Sequence, residues 1–201
     1  MAGQAGAACT PSGATALLAG AISYALSACA QVAPGEMTLP TPCADWDLEA
    51  LLAHLAGSMA DLESAIRTGH LDLNEPDRSS ASGLDGGDLV EGLRDHAANL
   101  LFACYAHHGP DRFVLVGGLP LPAGIVACTG AVEIAVHGWD VSAARGRSGP
   151  IPPALAVRML RLCPLLVAGR EGLFSAPVQV PAQASPGDRL VAYLGRIPKA
   201  P

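Results

Sequence analysis

Between Phe113 and Trp139 the chain carries one carboxylate, Glu133, and one imidazole, His137, in an otherwise uncharged stretch. Its later part, about residues 123–145, reads as one helix that is apolar nearly all round. A helix without a broad polar face belongs in the middle of a bundle rather than on its surface. A carboxylate on such a rod needs a partner, because an unpaired buried charge costs several kcal/mol or shifts its pKa instead.

The remaining sequence supplies helices to surround it. Leu18, Ile22, Ala25, Cys29 and Val32 follow helical spacing after Thr10-Pro11-Ser12, and Pro34-Gly35 ends that segment. An extended link, Leu39-Pro40-Thr41-Pro42, leads to a second helix opening at Asp45 or Asp47. Leu48, Leu51, Leu52, Leu55, Met59, Leu62 and Ile66 form its apolar face, and Gly69 ends it. Residues 70–88 are acidic and rich in Ser, Gly and Asp, as a surface loop is. A third helix spans about 85–107. Phe113-Val114-Leu115-Val116 reads as extended and Gly117-Gly118-Leu119-Pro120 as a turn. Beyond Gly149-Pro150 the pattern predicts a short helix over 153–167, an extended Pro177–Pro181, and a last helix from Ser185-Pro186 to Leu194. The expected fold is mainly all-α: an antiparallel four-helix bundle over 1–148, with a small mixed α/β C-terminal extension over 149–201.

Composition narrows the function classes. Half of the 201 residues are apolar but only 4% are aromatic, so the core is built from Ala, Leu and Val. The net charge of −6 and the absence of a basic run exclude nucleic acid as the main partner. Residues 1–35 carry no charge. Leu26-Ser27-Ala28-Cys29 resembles a lipoprotein cleavage box, yet the positive n-region of a signal peptide is missing. The stretch is rich in Ala, Gly and Ser rather than Leu, so an amphipathic bundle helix is expected and a membrane span is not. Six cysteines without a C-x-x-C pair are read as small buried side chains in a reducing cytoplasm.

Thr129, Glu133, His137 and Asp140 recur at helical spacing and form one polar stripe. Glu133 and His137, four apart, have the geometry of two metal ligands on one helix face. The pattern is E-x-x-x-H and not the H-E-x-x-H of metalloproteases. His54, beside Leu51 and Leu55, is the best third donor. Two imidazoles and a carboxylate leave a coordination position open, as catalytic sites do. The alternative stays open at this point: Glu133 and His137 pair with each other and His54 bonds a carbonyl. Asp140 is either a partner behind the ligands, a general base, or a packing residue. Arg196 either binds an anionic substrate group or forms a surface salt bridge. Cys43, ahead of the second helix, is a dipole-activated thiol or, the favoured reading, a buried structural one. Trp46 and Trp139 line a pocket or, again favoured, pack in the core. His107-His108 reads as a solvated helix end, and His70 and His96 as surface residues.

Three segments together resemble the mycothiol-dependent maleylpyruvate isomerase family. They are Thr41-Pro42-Cys43-Ala44-Asp45-Trp46-Asp47-Leu48 with Leu51-Leu52-Ala53-His54, Ala131–Val141 around Glu133 and His137, and Ala184–Leu190 with Leu194-Gly195-Arg196-Ile197-Pro198. The last is similar to the C-terminal end of the actinobacterial metal-binding branch. The resemblance implies a DinB-like four-helix bundle and a divalent metal, typically zinc, on His54, Glu133 and His137. It also implies mycothiol or another small thiol as co-substrate. Family activities include maleylpyruvate isomerisation and thiol transfer.

The expectation is a metal-dependent transferase or isomerase acting on a small molecule, cytoplasmic, monomeric or homodimeric. Its rivals are a thiol-independent metal enzyme (hydrolase, cyclase, dehydratase or epimerase) of specialised metabolism and a non-catalytic metal- or ligand-binding bundle. The ligand set also suits Ni, Fe or Mn. The extension is short for a full substrate domain, and beyond Arg145, Arg147 and Arg196 no basic cluster for a dicarboxylate is visible.

Overall fold

The structure is a computed structural model, and it describes residues 10–43, 46–72, 86–107, 109, 111–147, 149–166 and 175–198. Helix α1, Pro11–Cys29, begins on a proline, whose fixed φ suits a first turn; the Thr10 hydroxyl makes no capping bond. It is long and apolar enough to cross a membrane by length and composition. In the structure Leu17, Leu18, Ala21, Ile22 and Ala25 of this helix are fully packed inside the protein. Helix α2, Leu48–Thr68, is capped by Asp47, whose carboxylate accepts the Ala50 amide, and Gly69 ends it at φ +78°. Of the two expected starts, Asp47 is the one used; Asp45 lies outside the described residues.

Helix α3 is Gly86–Ala106 and helix α4 is Ala123–Ala144. α4 packs chiefly against α1 and then α2; α2 packs chiefly against α3, and α1 touches α3 to close the ring. The α1–α4 crossing is close because both sides are small. A Cβ on Gly138 would lie 2.8 Å from the Ala25 Cα. One core of Leu, Ala, Val, Met and Ile fills the ring. Each fully buried Leu contributes about 1.5–3 kcal/mol.

A three-stranded sheet, order β1-β2-β3, lies between α2 and α4 in sequence. β1, His70–Leu71, pairs parallel with β2, Phe113–Val116, which pairs antiparallel with β3, Leu119–Pro122. The expected turn thus shrinks to Gly117-Gly118, both at positive φ, and Leu119-Pro120 belong to a strand. β3 tolerates two prolines because it is an edge strand, which need not donate on its outer side. Most of the expected acidic loop lies outside the described residues.

Helices α5, Pro153–Leu166, and α6, Pro186–Tyr193, pack on each other, and α5 also packs on α4 and α1. Ser185 caps α6 by accepting the Asp188 amide. Pro177–Pro181 lies outside any strand, with Val178 N–H bonded to Ala192 O at 2.9 Å. The strands of the fold therefore sit between α2 and α4 rather than among the described residues after 149. Gly195 follows α6 at φ +85°, where a Cβ would also meet the Ser175 backbone at 2.8 Å, and it turns the chain back toward the bundle.

Candidate functional site

Two helices and two connecting segments meet at one end of α4. The α2 stripe of Leu51, Leu55, Met59 and Leu62 is buried, and His54 and Ser58 sit half-buried at its margin, one turn apart. α4 presents Glu133, His137 and Asp140. The segment before α2 adds Cys43 and Trp46, held in place because the Thr41 hydroxyl donates to the Trp46 carbonyl at 2.8 Å and accepts from the Cys43 amide at 3.1 Å. The turn at Gly195 brings in Arg196.

His54 Nε2 lies 3.3 Å from Glu133 Oε1, and the Ser58 hydroxyl donates to the same oxygen at 2.7 Å. Burial pushes the Glu133 carboxyl up. The contacts from His54 and Ser58 and the nearby His137 outweigh it, so its pKa is held below the ordinary value. His137 and Asp140 are buried, Asp140 completely. His137 Nδ1 is 3.0 Å from Asp140 Oδ2, and Arg196 donates to both Asp140 oxygens, from Nε at 3.2 Å and Nη2 at 2.9 Å. Burial again opposes ionisation, but the bonds from His137 and Arg196 win, and the Asp140 pKa is lowered. An ionised carboxylate only accepts, so His137 carries its proton on Nδ1 and Nε2 is left as a lone-pair donor.

The ligand atoms of His54, Glu133 and His137 lie within 4.8 Å of one another. Two ligands about 2.0–2.1 Å from a tetrahedral ion are themselves about 3.4 Å apart, close to the His54–Glu133 separation. The donor set also fits chemically: two imidazoles, one carboxylate, and a carboxylate behind one imidazole that fixes its tautomer. A second group, Cys43, His137 and Asp140, meets the same 4.8 Å limit. The Cys43 thiol donates to Asp140 Oδ2 at 3.5 Å and accepts from Arg196 Nη2 at 3.3 Å. Burial, with Asp140 adding to it, pushes this thiol up to about 11, the opposite of dipole activation.

The structure thus brings together His54, Glu133, His137, Asp140 and Arg196. It does not include Thr129, which is exposed and donates to Ile125 O. Arg196 is not at the surface: its side chain is 10% exposed and paired with Asp140. Both tryptophans pack against the core, and Trp46 also lines the site, with its ring centroid 4.3 Å from His54 and 5.9 Å from His137. His70 is exposed, His96 and His107 are half-buried, and His108 lies outside the described residues. The sequence reading missed Ser58, whose signal was its place one turn after His54.

Fold and site define a class: a DinB-like helical bundle with a cluster of two histidines and a glutamate on its inner helices. The model of the mycothiol maleylpyruvate isomerase N-terminal domain matches residues 18–142, and the chain belongs to that family. Uncharacterized proteins from two Mycobacterium tuberculosis strains, CDC 1551 and H37Rv, are each 28% identical over 180 residues, covering 83% of this chain and 88% of theirs. The crystal structure of a mycothiol-dependent maleylpyruvate isomerase superposes with a TM-score of 0.60 at 20% identity, covering 75% of this chain and 67% of that one. A histidine-to-alanine mutant of that isomerase superposes over the same shares, at a TM-score of 0.57 and 19% identity. Family membership supports an enzyme of the mycothiol-related isomerase kind.

Proposed function

We propose that this protein is a divalent-metal-dependent enzyme of the mycothiol-dependent isomerase or thiol S-transferase type, with His54, Glu133 and His137 holding the metal, zinc in the first instance. The observation that carries the reading is the 3.0 Å contact between His137 Nδ1 and Asp140 Oδ2. Asp140 takes Nδ1, so Nε2 is free as a donor in a cluster that already contains His54 and Glu133. A bound divalent ion supplies Lewis acidity, lowering the pKa of a small thiol such as mycothiol or polarising a substrate oxygen.

The chain's own residues do the rest. Asp140 holds the His137 ring and its proton; Ser58 orients the Glu133 carboxylate; Trp46 excludes water from one side of His54. The small-molecule substrate binds beside these residues, in the bundle over 1–148, and the extension over 149–201 contributes Arg196. A cytoplasmic setting fits the cysteines, since among the described residues Cys29, Cys43, Cys104, Cys128 and Cys163 form no disulfide. One observation narrows the substrate. Arg196 donates through Nε, Nη1 and Nη2 to groups of the protein, which leaves this arginine poorly placed for an anionic substrate such as a dicarboxylate.

Metal analysis of the purified protein is the test. One equivalent of zinc is expected, and His54→Ala should lose it. Unchanged metal content in that variant removes the proposed site. A thermal shift with mycothiol, seen in the wild type and lost in His54→Ala, supports the thiol-dependent reading; bound metal with no thiol shift supports the thiol-independent one. A protein that binds neither is a non-catalytic bundle.

A further inference from the structure

His137 belongs to two donor sets at once. Its ring is shared by the group with His54 and Glu133 and by the group with Cys43 and Asp140, and its Nδ1 lies 3.0 Å from Asp140 Oδ2. The second set has the composition of a softer metal site: a thiol, an imidazole and a carboxylate. Its donor atoms crowd one point, with Nδ1 3.0 Å and Sγ 3.5 Å from the same Asp140 oxygen, and all three lie within 4.8 Å of one another. Such a set in a buried pocket attracts a cation, and the protein already places one there. Arg196 Nη2 sits 2.9 Å from Asp140 Oδ2 and 3.3 Å from Cys43 Sγ, touching two of the three donors.

We propose that Arg196 is a built-in cation that fills a second metal-donor set formed by Cys43, His137 and Asp140, so that the centre takes no ion on the thiol side. The guanidinium supplies the positive charge that a metal would, and it occupies the side of the centre where Asp140 and Cys43 lie. An ion held by Cys43, Asp140 and Nδ1 would make the His137 ring bridge two ions, so the plug keeps that ring to the one ion of the first set.

The backbone supports a fixed plug. Arg196 N–H donates to Val191 O at 2.9 Å, and Nη1 donates to Leu194 O at 3.0 Å, so both ends of the residue are tied to the end of α6. The Gly195 conformation that aims the residue inward is one that L side chains rarely adopt. The C-terminal extension thereby acts on a centre built by the bundle.

The inference rests on the His54–Glu133–His137 reading only for the count of ions, and the test separates the two. Cobalt(II) is titrated into metal-free full-length protein, reading stoichiometry and the near-ultraviolet thiolate-to-cobalt charge-transfer band. The wild type and Arg196→Lys, which keeps a cation in place, should show no thiolate band. Arg196→Ala and Arg196→Gln should bind one more equivalent than the wild type and show the band, and Cys43→Ser added to either variant should abolish both gains. Arg196→Gln carries the test if circular dichroism shows Arg196→Ala unfolded. A band in the wild type, or no added equivalent in folded Arg196→Gln, overturns the plug. A wild type that binds no cobalt overturns the first site, while a Cys43-dependent equivalent in Arg196→Gln still upholds the plug.

Discussion

The centre has two unlike walls, although α4 runs through both. On one side His54, Ser58 and Glu133 are half-buried, and the Glu133 side chain is 34% exposed. On the other, His137 and Asp140 are buried, with Arg196 nearly so, and their bonds form a chain from Arg196 through Asp140 to His137. Two turns of helix separate a carboxylate that water can reach from a carboxylate that it cannot. The difference teaches which part of the site is frame and which part is opening: the buried wall fixes geometry, and the half-exposed wall is the one that solvent reaches.

The sharpest way to break this comparison is Asp140→Ala. It strands the Arg196 guanidinium in a buried position, which costs about 3–5 kcal/mol. For a chain of this length that is a fall in Tm of roughly 6–20 °C, followed by circular dichroism. Glu133→Ala, on the exposed wall, should cost far less stability. Equal losses in the two variants would mean that the walls do not differ as described.

Two glycines on α4 sharpen it. An alanine at Gly138, behind the buried wall, would place Cβ 2.8 Å from the Ala25 Cα and 3.0 Å from its Cβ. Backbone cannot step aside cheaply, so Gly138→Ala should destabilise by about 1–3 kcal/mol in urea unfolding. At Gly130 the clash, 2.3 Å, is with Leu62 Cδ2, the end of a side chain that can rotate. Gly130→Ala should therefore be near neutral, since alanine also gains about 1 kcal/mol of helix propensity over glycine.

Ser58→Ala is milder. It removes the 2.7 Å bond to Glu133, but water can replace the hydroxyl at a half-buried position. The stability loss should be at most about 1 kcal/mol. Metal affinity should fall about tenfold, because the carboxylate is no longer oriented. Isothermal titration with zinc reads that ratio, and unchanged affinity would show that Ser58 only fills space.

The sequence made one part of this contrast visible and hid the other. Glu133 and His137 stood out because an apolar helix cannot carry a charge without a partner, and His54 followed from its place beside Leu51 and Leu55. Helix ends were legible where a local cap exists, as at Asp47, Gly69 and Ser185. Arg196 was found as a residue, but not its partner: it lies 56 positions from Asp140, and no periodicity links them. Ser58 was hidden because a serine on a helix has many equivalent uses. Leu119–Pro122 read partly as turn because proline argues against a strand unless the strand is known to be at an edge, which only the sheet order reveals.

Acid titration gives the finest test of the two walls. Both carboxyls have folded pKa values below their ordinary ones, so each contributes stability above the usual carboxylate range, near pH 4, and loses it as pH falls through the depressed folded value. Water screens Glu133, a third of whose side chain is exposed, whereas Asp140 is sealed between His137 and Arg196. The acid limb of the stability curve should therefore belong mainly to Asp140. Unfolding free energies measured from about pH 6 down to pH 2 should flatten more in Asp140→Asn than in Glu133→Gln. The reverse order would place the stronger electrostatic hold on the half-exposed wall, and the division into frame and opening would have to be redrawn around Glu133.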